Sequence, residues 1–299
     1  MNESMWWVFD GIVAVTLIIF AIITIKRGLI KAIVSTVGFG LSVLIAVTVS
    51  GSVAGSLYGS VVRASNVKAI NKHIYEDTLQ KSLAYELENS AYTISVNEYK
   101  LRDILEQSKN YDKDIYKFMN NINGKKVDDE EPFMENLHIA YSNVIKKLVS
   151  MELRTYISET AADKVLEDPS LFRQVIPLML EKEDQRPAAV YICDNMLSDA
   201  YRTSFRQIIL IALLGVCMVL SLILAQSAGR NDKIEPGFTR HLCCGLLGLF
   251  KGAAVVFAIA VIIRISVIYG SDKELMLSYP AIEKTYAFRY VYDFVCGLK

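Results

Sequence analysis

Four long apolar runs dominate the pattern of hydrophobic and polar positions along the chain. Each approaches or exceeds the roughly 20 residues that a helix needs to cross a bilayer. They predict spanning helices over residues 6–25, 32–54, 208–226 and 242–268. A buried core helix of a soluble protein would fit the third run alone, but it does not fit four runs arranged in two close pairs. Glu3 precedes the first run and no small-residue cleavage site follows it, so we expect an uncleaved helix rather than a signal peptide.

Between the two pairs lies a polar segment, residues 60–205, whose apolar positions recur at intervals of three and four, as at Leu101, Ile104 and Leu105. This spacing is typical of amphipathic helices that pack on one another. It predicts five to seven helices with little or no sheet. Residues 121–131 contain a glycine and a charge run, and predict an exposed loop. The expected fold is all-α: a four-helix integral membrane protein of two transmembrane hairpins, with a helical domain inserted between helices 2 and 3.

The short connections indicate the orientation. The first pair of runs is joined by a basic turn, residues 26–31, in which Lys26, Arg27 and Lys31 surround Gly28 without any acid. Lys and Arg mark cytoplasmic loops, so we expect residues 60–205 and both termini outside. The connection 227–241 agrees more weakly, since it carries three basic and two acidic residues. The four basic residues of the aromatic-rich tail, 271–299, run against the rule.

Composition and charge argue against several classes of function. The chain has 299 residues, 53% of them hydrophobic, with 32 Lys and Arg against 32 Asp and Glu. The absence of a net positive charge argues against nucleic-acid binding. The charges are unevenly distributed along the chain. Residues 60–205 hold 19 basic and 24 acidic side chains, and the remainder of the chain is basic. Five cysteines with no CxxC pair predict neither a disulfide scaffold nor a zinc module, and we expect no cofactor or metal.

Three charged residues fall within the apolar runs: Asp10, Lys251 and Arg264. Charges at such positions are costly and usually serve a function. If Lys251 snorkels to the cytoplasmic interface, Arg264 reaches the depth of Asp10 and the two are expected to pair. If the last helix enters the membrane at Leu242 instead, Lys251 falls near the bilayer centre. Both positions of the last helix relative to the bilayer fit the sequence, and the first has the lower energetic cost.

Small residues recur at helical spacing. At the end of the second run and just after it, Gly51, Gly55 and Gly59 follow one another at intervals of four, and Gly38 lies within the run. The last run has its own set, comprising Gly245, Gly248 and Gly252. Small faces let helices approach closely in lipid. They predict packing among the four helices, with self-association through an unused face as the alternative.

Other candidate chemistry is weak. Residues 128–131 form an acid run without the alternation and glycine of a calcium loop, so a solvated turn is the better interpretation. His73 and His138 belong to no metal or nucleophile pattern. His241 with Cys243 and Cys244 would suit a metal site or acylation at a membrane edge but equally suits packing. No pair of polar groups suggests a catalytic centre, and we expect a protein that is not an enzyme.

The chain resembles the colicin V production family, the CvpA-type membrane proteins. The resemblance rests on an acid near the start of the first helix (residues 7–10), the basic turn, Gly38, the glycine-rich stretch 245–252 and the trailing residues 278–282. It covers about 120 residues at the two ends. Family members are typically shorter, with a brief link where this chain has about 145 residues. The resemblance implies a bacterial cytoplasmic membrane protein linked to peptide-toxin production or export and envelope processes, and it supplies no catalytic residues.

Two functions follow as hypotheses. The first is a non-enzymatic membrane accessory protein, embedded in the lipid bilayer, whose outer domain binds an envelope protein or a secreted peptide. The second is a small-solute channel or transporter, which would need a homo-oligomer because four helices per chain are few.

Overall fold

A computed structural model describes residues 6–90, 92, 94–230, 237–269 and 279–298. These residues form helices, and none of them forms a strand, as the all-α prediction expected. In chain order the helices are α1 Trp7–Ile25, α2 Leu29–Leu57, α3 Arg63–Asn71, α4 Thr78–Glu88, α5 Glu98–Gln107, α6 Tyr111–Asn123, α7 Glu130–Ser150, α8 Thr155–Glu167, α9 Ser170–Leu180, α10 Arg186–Ile192, α11 Ser198–Ala228, α12 Phe238–Tyr269, α13 Tyr279–Glu283 and α14 Phe288–Gly297. A π-helical turn, Tyr58–Val62, joins α2 to α3, and a second one, Cys193–Leu197, joins α10 to α11.

Four helices are long and apolar enough to cross a membrane, which confirms the prediction of four spans. They contain α1, α2, α11 and α12. Two of them extend well beyond the apolar runs: α2 begins at Leu29 and α11 already at Ser198. The sequence 198–207 is polar but contains no proline or glycine, so nothing interrupts the helix there, and a search for apolar runs cannot find its start.

The surfaces of these helices carry large apolar side chains. Leu44, Val216 and Leu224 are each about three-fifths exposed within the protein. Only 11% of the most apolar window of α1 is buried by protein, against 44% for α12. A bilayer covers such exposed faces at no cost, and α12 is the helix most enclosed by the other segments.

The chain divides into two compact units, residues 57–201 and residues 1–56 with 202–299. We refer to them as the helical domain and the membrane unit. The division lies a few residues from the boundaries of 60 and 205 that hydropathy suggests.

Within the helical domain the apolar positions of α3 to α10 form one core. Its largest fully buried side chains include Leu83, Phe133, Tyr141 and Phe172. Six of these helices, α4 to α9, lie between the two short segments that continue α2 and α11 through π-helical turns. Residues 60–205 thus contain eight helices before α11, α3 to α10, and the prediction of five to seven is too low. The prediction does not include short helices such as α10, because a helix that passes through a π-helical turn leaves no break in the sequence.

The predicted loop over residues 121–131 is shorter than expected. Helix α6 runs to Asn123 and ends on Gly124, whose φ of 68° is the left-handed conformation that glycine adopts without strain. The acid run then begins α7, with Glu130 and Glu131 in its first turn. Acidic side chains stabilise the positive end of the helix dipole, so this run serves the start of a helix.

Asp112 connects three helices of the helical domain. Its carboxylate lies 2.6 Å from Nη1 of Arg173, 3.0 Å from the hydroxyl of Tyr141 and 3.3 Å from Nε2 of His138. The Tyr141 side chain is fully buried, and burial, followed by the nearby Asp112, raises its pKa well above the usual range. Tyr141 is therefore a neutral donor whose buried hydroxyl depends on Asp112.

Asp112→Ala is expected to lower the free energy of unfolding by about 2–3 kcal/mol, because it leaves a buried hydroxyl and a guanidinium without their acceptor. Chemical unfolding of the full chain, followed by circular dichroism, measures this loss. Asp163→Ala, on the exposed face of α8, is the matched control and should change stability by less than about 0.5 kcal/mol. Equal effects of the two substitutions would show that Asp112 does not hold these helices together.

Glu152 provides a pH-dependent contact next to the end of α7. Its Oε1 lies 2.9 Å from Nε2 of His73, and this hydrogen bond, together with the charge of Lys72, lowers the pKa of the Glu152 carboxyl below its ordinary value of 4.5. A lowered carboxyl pKa stabilises the fold above the ordinary value, and the contribution is lost as the pH falls through the lowered value. Glu152→Gln should therefore be less stable than the wild type at neutral pH, and the difference should shrink as the pH falls below 4.5. A difference that stays constant down to pH 3 would contradict this assignment.

Candidate functional site

Asp10 holds the start of the last helix. Its Oδ2 accepts a hydrogen bond of 2.7 Å from the backbone N–H of Tyr286, and its Oδ1 accepts bonds of 3.0 and 3.1 Å from Ala287 and Phe288. These amides lie at and just before the beginning of α14, where backbone N–H groups have no partner within the helix. A carboxylate also complements the positive end of the helix dipole. Asp10 thus acts as the N-terminal cap of a helix that follows it by 276 residues.

The described hydrogen bonds of Asp10 go to these three amides, and the expected Asp10–Arg264 pair is not among them. Arg264 acts instead on α14. Burial raises the pKa of the Tyr292 phenol to about 12, and the charge of Arg264 opposes that rise and the similar rise of the pKa of Cys296. Asp10 and Arg264 therefore both act on α14, at different residues of that helix.

Further contacts fix α14 along its length. Gln207 of α11, which is fully buried, donates from Nε2 to the backbone carbonyl of Val295 over 3.2 Å. At the other end Phe9 stacks on Phe288 with ring centroids 5.3 Å apart, and Trp6 meets Tyr286 edge to face. A side chain from α1 and one from α11 thus satisfy polar groups at opposite ends of α14.

The exposed side of α14, together with Tyr286 just before it, carries aromatic side chains. Tyr286, Tyr290 and Phe294 are largely exposed, whereas Phe288 and Tyr292 are buried. An amphipathic helix with exposed aromatic rings is typical of the membrane interface. Part of the predicted tail, residues 270–278 and 299, lies outside the described residues.

Lys251 is buried with a neutral partner. Its side chain on α12 is 2% exposed, and Nζ lies 3.1 Å from Oγ of Ser35 on α2. Ser35 in turn donates to the carbonyl of Lys31 over 2.6 Å. Thr36 adds a bond of 3.2 Å to the carbonyl of Leu247, so polar contacts join α2 and α12 over one turn. Helix α12 is continuous from Phe238 through Lys251 to Tyr269.

The glycines of the last helix lie against α1. A Cβ on Gly248 would come within 2.6 Å of the Ala21 Cα, and one on Gly252 within 3.1 Å of the Leu17 Cα. Gly245 makes looser contact with Ile25. The close approach of α1 and α12 therefore requires glycine at 248 and leaves little room for a larger residue at 252.

The glycines of α2 and of the π-helical turn that follows it have different surroundings. A Cβ on Gly38 would meet Ser221 of α11 at 2.5 Å, so this position brings α2 and α11 together. Gly51 lies beside the guanidinium of Arg206, whose Nη2 donates to the carbonyl of Val47 over 3.1 Å. Gly55 and Gly59 have open space where a Cβ would be, so they do not form close helix contacts among the described residues.

The basic turn ends α1 and begins α2. Lys26 and Arg27 donate their backbone N–H groups to carbonyls of the last turn of α1, and the Gly28 carbonyl accepts from Ala32. The side chain of Lys31 fills the space beside Gly229, where a Cβ would clash with it. Lys233 of the second connection, with the two acids there, lies outside the described residues.

The helical domain has an open groove of about 450 Å³ where α5, α6 and α9 meet. Its walls include Leu105, Tyr111, Pro177 and Leu180, and acidic side chains line its rim. The rim residues are Glu106, Glu181 and Glu183, with Lys182 among them. The sequence gives no signal for this groove, because its lining comes from three separate segments.

No metal centre is evident: among the described residues, no group of three or more His, Cys, Asp or Glu side chains could hold an ion. The five cysteines are free thiols. A scan against protein-family models, a search of curated proteins and a search of solved structures each found no match. The colicin V production resemblance thus remains an expectation from the sequence motifs.

Proposed function

We propose that the chain is a non-enzymatic accessory protein of a bacterial cytoplasmic membrane whose helical domain faces outward and binds a peptide or an envelope protein. The four apolar helices form two transmembrane hairpins in this proposal, with both connections in the cytoplasm. The resemblance to the colicin V production family adds a role in peptide-toxin production or export.

Two contacts support the hairpin arrangement. Lys31, at the start of α2, lies against Gly229, which follows the end of α11, and Ile25, at the end of α1, lies against Gly245, near the start of α12. The helix ends that flank the two connections therefore lie at one end of the membrane unit. The basic turn, residues 26–31, makes that end cytoplasmic, and the chain then leaves α2 and enters α11 on the opposite side of the membrane.

The groove of the helical domain is the observation that carries the proposed binding function. Its walls offer apolar surface, and its rim offers carboxylates at the C-terminal end of α9. Acidic side chains at that end oppose the helix dipole and cost stability, so their placement favours a role outside folding. Apolar walls with an acidic rim suit a peptide segment that carries both apolar and cationic side chains.

Site-specific photocrosslinking tests this proposal in cells that contain the full chain. A photoreactive amino acid at Tyr111, in the groove, should form a discrete adduct with a secreted peptide or an envelope protein. The same amino acid at Tyr99, which is 80% exposed on α5 and outside the groove lining, is the matched control. Adducts of equal yield at both positions, or none at Tyr111, would contradict a binding role for the groove.

The second candidate function, an oligomeric channel or transporter, is favoured by the buried charge of Lys251. Purified protein in liposomes should then pass a small solute, and Lys251→Met should abolish the flux. A monomer in mild detergent without flux would exclude this function, so the subunit count separates it from a binding module.

A further inference from the structure

No acidic side chain pairs with Lys251 among the residues that the structure describes, and the apolar stretches around it contain no acid. There is no Asp or Glu between residues 11 and 57, between 200 and 231 or between 236 and 271. All four long helices are therefore free of acids around the depth of Lys251. A buried ammonium is normally paired with a charge or coordinated by several acceptors.

Hydrogen bonding satisfies only part of this ammonium. A lysine carries three N–H donors, and the described residues provide one acceptor, Oγ of Ser35. The Ser35 hydroxyl uses its own proton on backbone carbonyls of α2, at 2.6 Å to Lys31 and 3.1 Å to Ala32. The serine therefore presents a lone pair to Lys251 and no negative charge. A buried donor that lacks partners points to a missing ion or water.

The surroundings are positive on the side of the basic turn. Ser35 lies six residues after the start of α2, which is about 9 Å along the helix. Lys26, Arg27 and Lys31 stand at that end, and Arg27 is close enough to act electrostatically on Lys251. Such a cluster raises the local concentration of anions, and it disfavours any further cation.

We propose that Lys251 and Ser35 form an intramembrane binding site for a small monovalent anion of the halide type, reached from the end of the membrane unit that carries the basic turn. The room for an ion is limited because Thr36, next to Ser35 on α2, donates from Oγ1 to the carbonyl of Leu247 on α12 over 3.2 Å, so the two helices that carry the site lie close together. A phosphate group would require α2 and α12 to separate. The site is independent of the proposed binding role of the helical domain.

Thermal unfolding of the full chain in detergent tests the site. Sodium chloride replaces sodium gluconate at constant ionic strength, and sodium bromide is the second probe. The melting temperature of the wild type should rise by several degrees and saturate with halide concentration, because an ion that binds only the folded state stabilises it. Ser35→Ala should weaken the apparent affinity.

Lys251→Met is the informative variant, because removal of an unpaired buried charge should not prevent folding. It should be at least as stable as the wild type in gluconate and should show a halide affinity weaker by about tenfold or more. Lys68→Met, at an exposed lysine of α3, is the control and should respond as the wild type does.

Three outcomes would overturn the proposal. The first is a wild type whose melting temperature does not respond to halide. The second is a saturable response that survives in Lys251→Met, since the ion would then bind elsewhere. The third is a response that appears only after Asp232→Asn with Glu235→Gln, because a carboxylate of the chain would then be the partner of Lys251.

Discussion

Asp10→Ala is expected to release α14 from the membrane unit and to lower the free energy of unfolding by about 2 kcal/mol. The substitution removes the acceptor of three backbone N–H groups, two of them at 3.0 Å or less, and hydrogen bonds to a charged group are among the stronger ones. Limited trypsin digestion in detergent reports the release directly. Cleavage after Lys284 and Arg289 should accelerate, while cleavage within the helical domain should not change.

Three further variants test the role of Asp10. Asp10→Asn retains an acceptor oxygen but loses the charge, so its effect should fall between those of the wild type and the alanine variant. Asp103→Ala, on the exposed side of α5, should leave the digestion pattern unchanged. Arg264→Gln should not restore α14 in the Asp10→Asn background, since the carboxylate of Asp10 accepts from backbone amides. A partial rescue would contradict the cap and favour a direct Asp10–Arg264 pair.

Gly248→Leu is expected to separate α1 from α12 and to cost about 3 kcal/mol or more. Even a Cβ at this position would lie 2.6 Å from both the Ala21 Cα and the Phe20 carbonyl oxygen, and backbone atoms cannot move aside as a flexible side chain can. Overpacking at such a contact is strongly unfavourable. The yield of monodisperse protein and its melting temperature in detergent measure the loss.

Gly55→Ala is the control at a glycine that has no close neighbour. A Cβ there meets nothing within 4 Å, and alanine favours a helix by up to about 1 kcal/mol over glycine. The variant should be as stable as the wild type or slightly more stable. A large loss at Gly55 with little effect at Gly248 would show that the glycines pack against a second copy of the chain rather than within it.

The membrane helices could be predicted because lipid imposes a minimum apolar length that few soluble helices reach. The amphipathic helices of the domain were predictable for a related reason, since a buried core requires apolar residues at intervals of three and four. The start of α11 was not, because Ser198 to Gln207 satisfies neither criterion yet continues the helix.

The partner of Asp10 could not be found from the sequence. Charge complementarity suggests a basic side chain, and Arg264 was the natural candidate. The carboxylate binds backbone amides instead, and every residue except proline carries such an amide, so the sequence offers no signal for it. Gln207 is similar, since a glutamine at the edge of an apolar run gives no indication that it reaches the carbonyl of Val295.

Lys251 illustrates what can be predicted from the sequence and what cannot. An intramembrane lysine is identified by inspection, and its functional importance is a general expectation. Its partner, Ser35, is neutral and lies 216 residues away, so only the packing of α2 against α12 identifies it. This packing, which places Lys251 beside a neutral hydroxyl, is the basis of the proposed anion site.

Cysteine accessibility in spheroplasts tests most directly whether the helical domain lies outside the membrane. In a variant whose five native cysteines are replaced, single cysteines are introduced at Tyr99, in the helical domain, and at Arg27, in the basic turn. A membrane-impermeant maleimide should label position 99 in intact spheroplasts and position 27 only after the membrane is permeabilised. Labelling of position 27, but not of position 99, in intact spheroplasts would place the helical domain in the cytoplasm and contradict the proposed function.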